Sequence, residues 1–165
     1  MSRLELRWRP ELGNAFRAPR PEQFLDFVVD GESLHDLLKC GERVTVLGGW
    51  FPNRLFEAIY FRGLLLEHPS YLETGRYELY VCPLCGDIGC GSVTAEIKAT
   101  EDRVVWRDFA HEVNWFDDPS EMLMRDDYDT VGPFEFDRVE YRQALLTWPL
   151  RPPLPPPTRK KGVLG

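Results

Sequence analysis

Apolar and polar residues alternate along several short stretches of the chain, a pattern typical of half-buried β-strands. Leu4, Leu6 and Trp8 alternate with polar residues, and residues 24–29 form a second apolar stretch that ends at an Asp-Gly turn. Residues 44–47 read Val-Thr-Val-Leu, a short strand-like stretch that precedes two glycines. We therefore predict three strands in the first 50 residues.

The middle of the chain continues this pattern. Tyr77 and Leu79 share one face of a predicted strand, which ends where a group of cysteines begins. Residues 93–98 alternate likewise, and a short polar turn at 100–102 leads from them into residues 103–106, so we predict a β-hairpin. Residues 55–66 fit neither the strand period nor the helix period, and their structure is left open.

Two segments have the signals of helices. Ser33 is a suitable N-cap for a short helix over residues 34–38. Asp137 and Glu140 have the spacing of a capping box, and apolar residues recur at helical intervals over 141–148. The predicted fold class is α+β, a mostly antiparallel β-sheet with a C-terminal packing helix and a Cys-rich loop.

Composition divides the chain into two parts. Residues 1–150 are predicted to form a single β-rich globular domain, because 150 residues of ordinary composition can bury a self-sufficient core. Residues 151–165 begin with five prolines in seven residues and are predicted to be a disordered basic tail. This tail carries four basic residues and no acidic one, so the net charge of −7 leaves −11 on residues 1–150.

The acidic charge indicates which partners the chain can bind, and the distribution of apolar residues indicates its location. An acidic body repels phosphate backbones, so we predict no nucleic-acid partner and instead a basic protein. The chain has no apolar run long enough for a membrane span, and no signal peptide is visible at the N-terminus. The predicted location is cytoplasmic, where cysteines stay reduced.

Three of the four cysteines lie within nine residues. Residues 82–91 read Cys-Pro-Leu-Cys-Gly-Asp-Ile-Gly-Cys-Gly. Cys82 and Cys85 have the spacing of a zinc-knuckle half-site, in which one tight turn supplies two thiolates. Proline stiffens such a turn, and Gly86 lets backbone amides point at the sulfurs. We predict a zinc site with Cys90 as its third ligand.

The fourth ligand has two alternatives. Cys40, near the end of a predicted helix, would complete an all-cysteine site, and His111, beyond the hairpin, would add an imidazole. A redox site is the competing interpretation, because Cys-Pro-x-Cys also occurs where a helix N-terminus activates the first thiolate. The glycines after Cys85 oppose a helix there, although Cys90 could act as a resolving thiol.

Residues 116–129 combine acidic side chains with aromatic and methionine residues. Such a surface suits a basic protein partner, whereas the alternative is a loop that packs its apolar residues on the core. The predicted partner-binding residues are Trp115, Phe116, Asp117, Asp118, Met122, Asp126 and Asp127.

Parts of the chain resemble a family of uncharacterised bacterial proteins that is frequent in actinobacteria. The similar stretches are the cysteine loop at 79–91, Val-Val-Trp-Arg-Asp-Phe at 104–109 and Gly-Pro-Phe-Glu-Phe-Asp at 132–137. Some members carry a generic oxidoreductase label. The resemblance spans residues 64–148 and implies that loop, hairpin and helix belong together. It supplies no catalytic residue, and Cys40 lies outside it.

Known catalytic motifs are missing from the sequence. There is no Gly-x-Ser-x-Gly elbow and no phosphate-binding loop, and the three histidines bear no relation to a serine. We therefore expect a non-catalytic binding or regulatory protein, for example a toxin-neutralising (immunity-type) protein, with a zinc-knuckle-like loop. The alternative is a thiol-dependent oxidoreductase or redox switch that uses Cys82, Cys85 and Cys90.

Overall fold

The computed structural model describes residues 1–10 and 23–153. Within these residues there are eight strands and three α-helices, joined by turns and two short 3-10 helices. In chain order the elements are β1 (Leu4–Pro10), β2 (Gln23–Val29), β3 (Glu32–Ser33), α1 (Leu34–Leu37), α2 (Arg54–Leu64), β4 (Tyr77–Tyr80), β5 (Ser92–Ala99), β6 (Arg103–Glu112), β7 (Leu123–Met124), β8 (Phe134–Asp137) and α3 (Arg138–Leu146). The predicted disorder of the tail largely concerns residues 154–165, which lie outside the described residues.

The strands form two antiparallel sheets. The smaller sheet has the order β1-β2-β3, with Leu6 opposite Phe27 in its first pair. In the larger sheet β4, β5 and β6 follow one another, while β7 and β8 both pair with the free edge of β6. The prediction of an α+β fold with a mostly antiparallel sheet and a C-terminal helix is confirmed.

Aromatic side chains join the two sheets in one core. Phe27 of β2 is fully buried and meets Tyr80 and Trp106 of the larger sheet edge to face, at ring-centroid distances of 5.8 and 5.3 Å. Helix α3 adds Tyr141, whose hydroxyl donates to the carbonyl of Leu64 over 2.7 Å. Large rings that bury most of their surface contribute strongly to such a core.

The helix caps predicted from the sequence are present. The Ser33 hydroxyl accepts from the backbone N–H of Asp36 at 3.2 Å, and Asp137 accepts from two N–H groups of α3 at 3.0 Å each. The undecided stretch 55–66 is largely helical, and Asn53 caps α2 with its side chain. No described helix is long and apolar enough to cross a bilayer.

One predicted strand is wrong. Residues 44–47 are buried, but only Val44 makes a ladder bridge, to Val81. The hydroxyl of Thr45 instead donates to the carbonyl of Leu25 and accepts from the N–H of Leu47, at 2.5 and 3.3 Å. The backbone N–H of Leu25 also donates to the carbonyl of Leu47 over 3.3 Å, so isolated backbone and side-chain hydrogen bonds hold this segment where a regular strand ladder was predicted.

Candidate metal centre

The cysteine loop leaves β4 in a tight turn. Val44 pairs with Val81 and fixes the backbone just before Cys82. The N–H of Gly86 donates to the carbonyl of Cys82 over 2.9 Å, which brings the chain back on itself. Gly86 has φ of +66°, and a Cβ there would lie 2.8 Å from Cζ of Phe51. Glycine is therefore required both by the backbone conformation and by the neighbouring ring.

The second half of the loop is held from outside. The Asp87 carboxylate accepts from the N–H of Gly89 at 2.8 Å and caps a 3-10 turn that ends at Cys90. The indole of Trp115 donates to the carbonyl of Gly89, and the guanidinium of Arg43 donates to the carbonyl of Gly91, each over 2.9 Å. Distant parts of the chain thus fix the loop.

The three thiols of this loop converge. The Sγ atoms of Cys82, Cys85 and Cys90 all lie within 4.8 Å of one another, and those of Cys85 and Cys90 are 3.2 Å apart. The N–H of Asp87 points at Sγ of Cys85 from 3.4 Å, as predicted for an amide that stabilises a thiolate. Tetrahedral zinc with Zn–S bonds of about 2.3 Å needs sulfurs about 3.8 Å apart, so small side-chain adjustments suffice to hold an ion.

The thiols differ in acidity. Burial tends to raise the pKa of Cys82, but N–H groups of Cys85 and Leu84 and the neighbouring thiols donate to its sulfur and hold the pKa below the ordinary value. The hydrogen bond with Cys85, together with slight desolvation and the nearby thiols, raises the pKa of Cys90 to about 12. Cys82 therefore ionises before Cys90, and a bound cation would displace the protons that remain.

Cys40 does not join the group. Its side chain is buried in the core with 2% of its surface exposed, and burial raises the pKa of its thiol well above the ordinary value. Its backbone N–H donates to the carbonyl of His35 in α1 over 3.1 Å. The predicted all-cysteine site therefore lacks its fourth member, because Cys40 packs as an apolar residue.

His111 does not join the group either. Its Nε2 atom lies 2.8 Å from Nη2 of Arg43, and its Nδ1 atom is buried without a hydrogen-bond partner among the described residues. Burial and the charge of Arg43 lower the pKa of His111. Residues 11–22 and 154–165 contain no cysteine or histidine. The structure therefore brings together a three-thiol site with neither predicted fourth ligand.

The predicted partner surface is exposed except at one position. Trp115 and Phe116 are 69% and 44% exposed, and the four predicted aspartates are exposed too. Met122 is the last residue of a short 3-10 helix (Pro119–Met122), and its side chain is buried with only 3% of its surface exposed. Met122 therefore offers no free side chain to a partner, and this part of the prediction is corrected.

A buried carboxylate beside the loop was not predicted. Glu78 of β4 is 4% exposed and accepts hydrogen bonds from the hydroxyls of Tyr71 and Ser92, both at 2.6 Å. Burial raises its pKa. The available signal was a single acid inside a short apolar strand, four residues before Cys82. Its partners Tyr71 and Ser92 lie outside this strand, so the pattern of the strand alone did not indicate them.

Comparison of the chain with protein-family models, with curated proteins and with solved structures finds no match. The resemblance described above therefore stays a prediction. The geometry of the thiol group and of the surface around it is what supports a function.

Proposed function

We propose that this chain is a non-catalytic binding or regulatory protein of the cytoplasm, which takes up one zinc ion and binds a basic protein. The observation that carries the proposal is the convergence of the Cys82, Cys85 and Cys90 sulfurs within 4.8 Å in a loop that glycines and outside hydrogen bonds hold in place. Thiolate ligands favour zinc among the common divalent ions, and a reducing compartment keeps them available.

Three thiolates leave one coordination position for water or for a donor from a partner. A closed structural zinc site has four protein ligands, whereas an open position is typical of sites that exchange a ligand. Cys85 and Cys90 are exposed, so the proposed ion lies at the protein surface. A zinc ion at this site would therefore fix the conformation of the surface loop and would contribute little to the stability of the core.

The loop and the acidic surface are connected through Trp115. Its indole donates to the carbonyl of Gly89, one residue before Cys90, while most of the ring remains exposed. A metal ion that fixes Cys90 also fixes this hydrogen bond and the position of the ring. Metal loading should therefore strengthen binding of a partner that contacts Trp115 and the aspartates that follow it.

The metal part of the proposal is tested by zinc content. The purified chain is loaded with zinc, passed over a desalting column and analysed for metal. We expect about one equivalent of zinc per chain. The Cys82→Ser variant should lose this zinc because it lacks one of the three ligands, whereas the Cys40→Ala variant should retain it. A chain that folds and keeps no zinc would refute this part of the proposal.

A redox switch is the second candidate, favoured by the 3.2 Å separation of the Cys85 and Cys90 sulfurs. Two thiols and one hydrogen peroxide would give one disulfide and two waters, with the thiols oxidised and the peroxide reduced. Mass spectrometry after peroxide treatment would show the loss of two hydrogens in the peptide with both residues. Turnover of a disulfide substrate that depends on Cys82 would favour an oxidoreductase over a switch.

A further inference from the structure

Two adjoining grooves lie beside the cysteine loop. The loop groove, with a volume of about 560 Å³, is bounded by the cysteine loop at Cys85 and by the start of α2 at Phe56. The outer groove, of about 470 Å³, runs on toward Phe116. Tyr71, together with two apolar residues, lines both grooves, so they form one continuous surface.

The charge of these grooves has a single sign. Glu78 and Asp87 line the loop groove, and Glu73, Glu112 and Asp117 line the outer groove, whereas no lysine, arginine or histidine lines either one. Glu112 is balanced from behind by a buried arginine. Within the described residues the other four acids form no ion pair. Glu78 is buried and both of its oxygens already accept hydrogen bonds, so the exposed carboxylates of Glu73, Asp87 and Asp117 are the ones available to a ligand.

Aromatic rings line the same surface. The rings of Phe51 and Phe56 have centroids 5.2 Å apart, and those of Phe56 and Tyr71 are 5.9 Å apart. Phe116, 44% exposed, adds a fourth ring in the outer groove. Ring faces attract cations, and they also accept the alkyl stems of long basic side chains. Planar guanidinium groups stack on such rings better than ammonium groups do.

We propose that the two grooves form the binding site for an arginine-containing segment of a basic partner protein. The carboxylates would pair with guanidinium groups, and the rings would contact the groups' faces and the apolar residues between them. This inference rests on the proposed function and names the surface that carries it. Because residues 84–88 form one wall of the loop groove, zinc loading should strengthen binding.

The test uses the full chain and two labelled octapeptides in a fluorescence anisotropy titration. One peptide alternates leucine with arginine, and the other alternates leucine with glutamate. The groove variant carries Glu73→Gln and Asp117→Asn, and the charge-matched control carries Glu32→Gln and Glu101→Gln, all at exposed positions. We expect the arginine peptide to bind the zinc-loaded chain, and the groove variant to bind about fivefold more weakly, as for the loss of two exposed ion pairs.

The control variant should bind within twofold of the unaltered chain, and the glutamate peptide should not bind. If the groove and control variants weaken binding equally, the groove assignment is overturned while a basic partner remains supported. If the arginine peptide does not bind the unaltered chain at low salt, the basic partner of the proposed function falls with it.

A further variant addresses the chain's own basic tail. Arg159, Lys160 and Lys161 are replaced together by alanine. If this variant binds the arginine peptide more than tenfold more tightly, the chain's own tail occupies the grooves, and the proposal that they bind a partner protein is overturned. We expect a change below twofold.

Discussion

Replacing Gly86 by alanine tests whether the cysteine loop is built as the structure shows it. The substitution acts in two ways. Gly86 has φ of +66°, where an L-residue costs about 1 kcal/mol or slightly more. The new Cβ would also lie 2.8 Å from Cζ and 3.0 Å from Cε2 of Phe51.

The ring of Phe51 has little room to move aside. It is 7% exposed and lies between Trp50 and Phe56, at centroid distances of 5.3 and 5.2 Å. Forcing an extra methyl group into such packing costs about 1–3 kcal/mol. The backbone cost and the packing cost add, so we expect Gly86→Ala to lower the free energy of unfolding by about 2–4 kcal/mol.

Gly75→Ala is the matched control. Gly75 has φ of +73°, but a Cβ there would meet nothing within 4 Å, so only the backbone cost of about 1 kcal/mol applies. Urea unfolding of both variants with a chelator present excludes any contribution from bound metal. Equal losses in the two variants would refute the close contact between Gly86 and Phe51. Partial recovery in Gly86→Ala with Phe51→Leu would support it.

Three further results are expected. Trp115→Phe removes one hydrogen bond from the loop, so Cys90 in the metal-free chain should react with a thiol reagent about fivefold faster than in the unaltered chain. Equal rates in the two chains would contradict the role of the indole. Asp137→Ala should lower the free energy of unfolding by about 1 kcal/mol in urea, because α3 loses its cap, whereas Asp137→Asn should lose less. Burial lowers the pKa of His35 below its ordinary value of 6.5, so the unfolded chain is protonated first as the pH falls. The free energy of unfolding should therefore decrease between about pH 7 and 5, less steeply in His35→Gln, and identical slopes would refute the assignment.

Local signals in the sequence predicted much of the fold. The alternation around Leu4 predicted a correct strand, because β1 buries Leu4 and Leu6 on one face and leaves the residues between them more exposed. The alternation along residues 93–98 also predicted a correct strand, although β5 is buried on both faces over residues 92–95, so there the pattern reports the strand and not a solvent-exposed face. The caps at Ser33 and Asp137 were correct for a similar reason, since a cap involves residues two or three positions apart. By contrast, strands β7 and β8 have two and four residues, too few to show a period.

The site was predictable only in part. Cys82, Cys85 and Cys90 converge within one loop, and their spacing contains that information. Whether Cys40 reaches them depends on the packing of α1 against the first sheet, which no local pattern encodes. The same holds for Glu78, whose hydrogen-bond partner Tyr71 comes from a separate turn.

The most direct test of a three-thiol metal centre is the sulfur count around bound zinc. X-ray absorption fine structure of the zinc-loaded chain reports both the number and the distance of the ligands. We expect three sulfurs at about 2.3 Å and one oxygen or nitrogen donor at about 2.0 Å, unchanged in Cys40→Ala. A shell without sulfur, or four sulfurs that fall to three in Cys40→Ala, would contradict the arrangement of thiols described above.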